Sequence, residues 1–446
     1  MSPWLGMALV LGTLALCFAA LAWWRQRAQP HPELTRKLMH VLMGLVAASF
    51  PWLFDSTWPV LLLAGTSMMA LWIVRSGRVS AARLHDTLHG VLHDVERASC
   101  GELMFPLGVA AVFVLADGDA LLYSVPILIL ALADALAALI GLRYGQMRFN
   151  TLDGYKSLEG SFAFFLVSFL CVHIALLLFT DTGRAESLLI GLILGLLVMM
   201  SEAVAWRGLD NLFIPLASYA LLKAYLELDT AALSMQLGVV VFLLLFVILW
   251  RRRSSFDDSA LIGAVLLSYT VWVIGGLAWL TLMLLSFMTA TVLALRHGAG
   301  IQRNLHNLPA LLALCAPGLF WLLIREPNED TAAFFAFALS FGAHVAMFGV
   351  SRIHAGQTHL AWAHLLPALF QAWSVLALSW LLFMPWQTAL STLLPALPLL
   401  AAATYAFYRW QPNLIDCPRD SARWWRQATL AAAVSGAGWL WMNVTG

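Results

Sequence analysis

Sixteen apolar runs of roughly 17–25 residues, joined by short connections that carry most of the charge, leave this chain few ways to fold. In hydrocarbon only a helix or a closed barrel satisfies every backbone polar group, and runs of this length without alternation are helical. The runs cover 3–24, 39–54, 57–74, 101–116, 119–141, 161–180, 186–205, 211–226, 231–250, 260–275, 277–295, 308–324, 333–350, 361–384, 388–408 and 427–443. The expected fold class is therefore all-α: a polytopic integral membrane helical bundle of about 16 transmembrane helices. Composition agrees, since 61% of the 446 residues are hydrophobic and 11% charged, which excludes a soluble enzyme with a solvated surface. Twenty Trp suit a chain with many bilayer interfaces. A formal charge of +1 gives no bulk attraction to nucleic acid, and no nucleic-acid partner is expected. The five Cys are far apart without CxxC spacing, so neither a disulfide framework nor a zinc knuckle is indicated. No basic residue precedes the first run and Arg25 and Arg27 follow it, the reverse of a cleavable signal peptide.

Charge sets the orientation. Alternate connections hold every Lys and Arg except Arg184, Lys223 and Arg325. By the positive-inside rule that face is cytoplasmic, which puts both termini on the other side. The acids divide the chain differently: of 24 Asp and Glu only Glu326, Glu329, Asp330, Asp416 and Asp420 follow residue 260, all in predicted loops. Earlier, Glu102, Asp134, Glu159, Glu202 and Asp210 lie within or at the mouths of spans, where an ionisable group is a functional-site hypothesis. Chemistry is thus expected in a domain over 1–250, with a non-catalytic membrane helical domain over 251–446 and the boundary at the connection Arg251–Asp258.

Five clusters map to cytoplasmic helix ends. Arg36 and His40 share a helical face beside Lys37, although basic residues there also serve as a positive flank. Glu102 follows Gly101 at a helix start, as a cap or as a catalytic group. Asp134 lies inside an apolar run with Ala137, Gly141 and Gly145 on one face, a stripe that admits a close helix or a ligand. Lys156, Ser157, Glu159, Gly160 and Ser161 open another helix with the cation, hydroxyls and backbone N–H groups that hold phosphate, though no Walker A pattern precedes them. Asp210 and Asn211 follow Gly208, offering oxygen donors of the kind Mg²⁺ takes beside substrate phosphates, or an Asx turn. Phosphoryl transfer needs positioning, a divalent cation and charge-absorbing side chains, and these residues supply each.

In this order the strings Glu33…Arg36-Lys37…His40, Arg97…Gly101-Glu102…Phe105-Pro106, Asp134…Ala137…Gly141…Gly145, Lys156-Ser157…Glu159-Gly160-Ser161 and Gly208-Leu209-Asp210-Asn211…Pro215-Leu216 resemble the polyprenol kinase family. That family includes phytol, farnesol and dolichol kinases and the CTP-dependent diacylglycerol kinase, and the resemblance covers roughly residues 30–230. It implies a membrane kinase moving the γ-phosphoryl group of CTP, or another nucleoside triphosphate, onto a lipid hydroxyl. By the same resemblance Asp134 and Asp210 bind Mg²⁺ or activate the alcohol, with Asn211 assisting. Lys156, Arg36 and Lys37 hold phosphates, joined by His40, Ser157, Gly160 and Ser161, while Glu102 and Glu159 orient them. Ala133 departs from the family's Gly-Asp. The stretches Leu261–Arg296 and Arg303–Ala310 are similar in part to the phytyl-phosphate kinase family, but Gly342–Gly349 has none of that family's acids, which implies a half without its own catalysis.

The connection 78–97 carries an apolar stripe and His85, His89 and His93 at helical spacing, an interfacial helix with a polar face and a candidate lid over the nucleotide. Two rival functions fit the same inventory: a transporter or flippase, whose charges belong at the membrane midplane, and a lipid cytidylyltransferase, which retains CMP on the lipid.

Overall fold

The computed structural model describes residues 2–75, 100–296, 306–326, 331–354, 365–411 and 421–445, and within them the apolar runs fall largely on helices. The His85, His89 and His93 stripe lies outside the described residues. Eight described helices are long and apolar enough to cross a membrane: Pro3–Ala28, Ala120–Tyr144, Leu158–Phe179, Arg184–Val204, Thr230–Arg253, Asp258–Gly275, Thr331–Ser351 and Leu365–Phe383. Shorter apolar helices cover Trp58–Ile73, Gly101–Ala116, Leu277–Val292 and Leu308–Ile324.

The first of two units, Met1–Val239, contains α1 (Pro3–Ala28), α2 (Pro32–Ala48), the short α3 (Phe50–Leu53) and α4 (Trp58–Arg75). After them come α5 (Gly101–Ala116), α6 (Ala120–Leu128) and α7 (Asp134–Tyr144), the last two joined without a break by a π-helical turn, Ile129–Ala133. A hairpin of β1 (Arg148–Thr151) and β2 (Gly154–Ser157) leads into α8 (Leu158–Phe179), α9 (Arg184–Val204) and α10 (Asp210–Tyr225). The centre of this unit is the stretch around the π-turn, where Ile127, Ile129, Leu130, Ala131 and Ala133 are fully buried. Lipid tails are as apolar as side chains, so close van der Waals fit does the holding. Gly44 of α2 shows it: a Cβ there would collide with the side chain of Ala131. Gly108 of α5 likewise lets the α10 backbone approach, a Cβ there falling 2.5 Å from the Asn211 carbonyl oxygen.

The second unit, Val240–Gly446, contains α12 (Asp258–Gly275), α13 (Leu277–Arg296), α14 (Leu308–Ile324), α15 (Thr331–His354), α16 (Leu365–Phe383), α17 (Ala389–Trp410) and α18 (Ser421–Thr445). Its core is α15, apolar all round and buried almost throughout, with α13, α14, α16, α17 and α18 packed on it.

Two expectations change. The run 39–54 is broken at Ser49, whose hydroxyl bonds to the Val46 carbonyl, and Pro51 restarts the chain as α3 because proline lacks the N–H that would continue α2. The all-α class gains a two-stranded antiparallel hairpin, Phe149 pairing with Lys156 and Thr151 with Gly154. The two units divide within α11 (Thr230–Trp250). The start of α11 is tied to the first unit through Thr230 and Glu186, and its end packs into the second, with the Phe246 and Phe287 rings 6.2 Å apart.

Candidate active site

Asp134 begins α7 immediately after the π-turn and is buried. Its Oδ2 accepts a hydrogen bond from Lys37 Nζ of α2 at 2.6 Å, and His40 Nε2, one turn along, is 3.6 Å away. His40 Nε2 also lies 3.2 Å from the Leu130 carbonyl, to which it donates when that nitrogen is protonated, and its ring meets the Phe105 edge at 5.2 Å. A π-turn shifts the ladder from i→i+4 to i→i+5, which opens a place for a side chain at the Leu130 carbonyl. Arg36 stays near the surface, its guanidinium paired with Glu33 at 2.5 Å.

The hairpin delivers the second cation. Lys156 on β2 donates to Glu202 Oε1 at 2.6 Å and to the Glu202 carbonyl, at the end of α9. Ser157 caps α8, its hydroxyl accepting from Gly160 N–H at 3.1 Å. Glu159 Oε1 accepts from the N–H groups of Gln146 and Met147, each at 3.1 Å, and so clamps the entry to the hairpin. Gly141, Gly145 and Gly160 are where α7 and the start of α8 touch: a Cβ on Gly160 would lie 2.8 Å from the Ala137 carbonyl oxygen. The small-residue stripe is thus filled by Ser157 and Gly160. Ser161 is half-buried in the first turn of α8.

The third segment is the turn before α10. Arg207 and Gly208 take left-handed conformations, φ 55° and 81°. Arg207 N–H donates to Asp153 Oδ2 at 2.5 Å, and its carbonyl accepts from Cys100 N–H at 2.8 Å. Asn211 Nδ2 donates to the Gly101 carbonyl at 2.8 Å, which joins α10 to the start of α5, where Glu102 stands in the first turn. Asp210 Oδ1 accepts from Asn211 N–H at 3.1 Å.

These segments meet electrostatically. Asp210 feels the charges of Asp134, Lys156, Lys37 and Glu202, and Arg36 feels Asp134 and Asp210. Among the described residues Asp134 and Glu202 each have a lysine at 2.6 Å, whereas no cation lies within 4 Å of Asp210. Asp210 and the Asn211 side-chain oxygen are hard donors of the sort that hold Mg²⁺ through one or two protein ligands together with phosphate oxygens. Three or more metal-ligating His, Cys, Asp or Glu do not gather anywhere among the described residues.

Glu202 stands out in the sequence as an acid at the mouth of a span, but its pairing with Lys156 is a long-range contact that the sequence does not show. Asp153 is the participant that sequence reasoning misses, although Asp153-Gly154 is a turn signal of the kind that marks hairpins.

Fold and site together define an integral membrane protein with a buried cluster of acids and cations at its helix ends. The chain is similar to the phytol kinase of Synechocystis sp.: it is 29% identical to it over 188 residues, covering 42% of this chain and 76% of that protein. No family model and no solved structure matches the chain.

Proposed function

We propose that this protein is a membrane-embedded lipid kinase that transfers the γ-phosphoryl group of CTP, or another nucleoside triphosphate, to the hydroxyl of an isoprenoid or similar lipid alcohol. The observation that carries the proposal is the convergence of Lys37, Lys156, Asp134 and Asp210, from four separate segments, in one electrostatically connected cluster. The relationship to a phytol kinase supports the same reading.

In this scheme the lipid oxygen forms a bond to the γ-phosphorus while the bond from that phosphorus to the β,γ-bridging oxygen breaks, releasing the nucleoside diphosphate. Mg²⁺ would supply charge neutralisation across the phosphates, held by Asp210 and Asn211. Lys37, Lys156 and Arg36 take up the negative charge of the equatorial oxygens, which is where such a transition state needs help. Lys37 and His40 both approach Oδ2 of Asp134, and the other carboxylate oxygen receives the proton of the attacking hydroxyl. Ser157, Gly160 and Ser161 present the α8 N-terminus toward phosphate, and Glu102 and Glu159 hold the surrounding turns. The positive-inside pattern assigns this end of the bundle to the cytoplasm, both termini to the opposite face and all sixteen apolar helices to the membrane. Catalysis belongs to residues 1–250, and residues 251–446 have no part in the transfer.

The test is transfer from γ-labelled CTP and ATP, with Mg²⁺, by detergent-purified protein to a panel of prenols and diacylglycerol. Label should appear in an organic-soluble monophosphate and disappear with Asp210→Asn and with Asp134→Asn. A folded protein that labels no alcohol with either nucleotide, or an Asp210→Asn variant with full activity, would overturn the proposal.

A further inference from the structure

The second unit contains a cavity of about 130 Å³, partly open to the surface, which the scheme above does not use. It is comparable to an engineered cavity known to take benzene, so it can seat the head and first carbons of a longer molecule whose remainder leaves through the open side. Its walls come from the end of α11, from α12, α13, α14 and α15, and from the start of α18, and they are predominantly apolar, with Phe246, Phe287, Phe341 and Met283 among them.

Two polar side chains in this wall carry buried nitrogen atoms without hydrogen-bond partners. His344 of α15 is 9% exposed and Gln427 of α18 is 2% exposed. Neither ring nitrogen of His344 has a partner in good hydrogen-bond geometry, the Leu314 backbone being the polar group that interacts with the ring, and Gln427 Nε2 has none either. Other polar groups of the wall are engaged. His306 Nδ1 is 2.9 Å from the Ser255 hydroxyl, Arg253 lies over the Trp250 ring at 5.3 Å, and the Ser286 and Thr291 hydroxyls bond to carbonyls of their own helix. A buried donor or acceptor left unpaired is costly, so a molecule that pairs both groups is favoured over one that cannot.

We infer that this cavity is a binding site for a neutral single-chain lipid alcohol, its hydroxyl donating to a His344 ring nitrogen and accepting from Gln427 Nε2, its chain lying along the aromatic wall. The imidazole and carboxamide are matched to a group that both donates and accepts. They carry no net charge in their ordinary state at neutral pH, and an ionised head among them would be buried without a counter-charge. The inference does not rest on the kinase reading, because site and ligand are argued from the second unit alone.

The experiment uses the full-length protein in phosphatidylcholine nanodiscs and a photoactivatable hexadecanol with a diazirine on its chain. Labelled peptides are mapped, and hexadecanol, hexadecyl phosphate and hexadecane compete. Saturable labelling should map to the segments around Phe287, Cys315 and Phe341, with hexadecanol competing at least about tenfold better than hexadecane, the ratio that one unpaired buried group represents. His344→Phe and Gln427→Leu should each reduce that preference while leaving hexadecane competition unchanged. Labelling that never saturates would mean that bulk phospholipid chains fill the cavity, and would overturn the inference. Hexadecyl phosphate competing best would replace the neutral head with an anionic one and overturn it equally. Equal competition by alcohol and hydrocarbon in the unmodified protein decides the matter without reference to how the variants fold.

Discussion

Lys37 and Asp134 form an ion pair of 2.6 Å in which both residues are nearly closed to solvent, at 5% and 9% exposure. A pair so buried gains little net stability by existing, because desolvation offsets attraction, yet breaking it from one side strands a charge. Asp134→Asn should therefore lower stability by about 3–5 kcal/mol. The double variant Lys37→Met with Asp134→Leu should recover most of that loss and none of the transfer activity. Thermal unfolding in detergent, read as a double-mutant cycle, checks the first part, and an activity assay the second.

Lys156 is expected to matter for chemistry more than for folding, since it sits on a hairpin at the rim and is half-buried. Lys156→Met should reduce kcat by at least about 100-fold, the usual effect of removing one charge-stabilising donor. Glu202→Gln should cost far less, because the Glu202 carbonyl still holds the ammonium group. Equal losses in the two variants would mean that Lys156 serves only to anchor α9.

Glycine contacts supply a prediction about packing alone. Gly44→Ala pushes α2 off Ala131 and should destabilise by about 1–3 kcal/mol. Gly12→Ala meets nothing within 4 Å and should leave the unfolding midpoint unchanged. Parallel melts of the two variants distinguish helix fit from a general intolerance of alanine.

Asp257 caps α12 outside the membrane-spanning segment, accepting from Ala260 N–H at 2.7 Å. Burial, with Asp258 adding to it, raises its carboxyl above the ordinary carboxylate value against the pull of the cap. A folded-state value above the unfolded one favours the protonated form, so this residue's contribution to stability is present in acid and lost as pH rises through that raised value. Asp257→Asn keeps the cap and removes the charge. It should raise the unfolding midpoint slightly at neutral pH, with the gain vanishing in acid.

Most of the helical architecture was legible because long apolar runs admit one solution in hydrocarbon, and Arg36, Lys37, Asp134, Lys156 and Asp210 stood out as charges where charges are expensive. Pairing was not legible. Nothing local says that Lys37 meets Asp134 or that Lys156 meets Glu202, since each contact joins residues far apart in the chain. Glu159 Oε1 accepts from two backbone N–H groups of the turn before the hairpin, a geometry that only the folded loop creates. The strands themselves, four residues each, are too short for alternation to show.

The π-turn at Ile129–Ala133 makes the helix 120–144 two rods in different phase. One supernumerary residue turns everything after it by roughly 100° relative to an unbroken α-helix, so no single helical wheel describes both ends. Asp134 is the first residue in the new phase. Apolar exchanges along this helix would leave that aim intact, whereas deleting any one residue of the turn would restore the regular ladder and swing the carboxylate away from Lys37. The segment should therefore tolerate divergence in side chains far better than any change in length, and a one-residue gap there would mark a descendant that has given up the site.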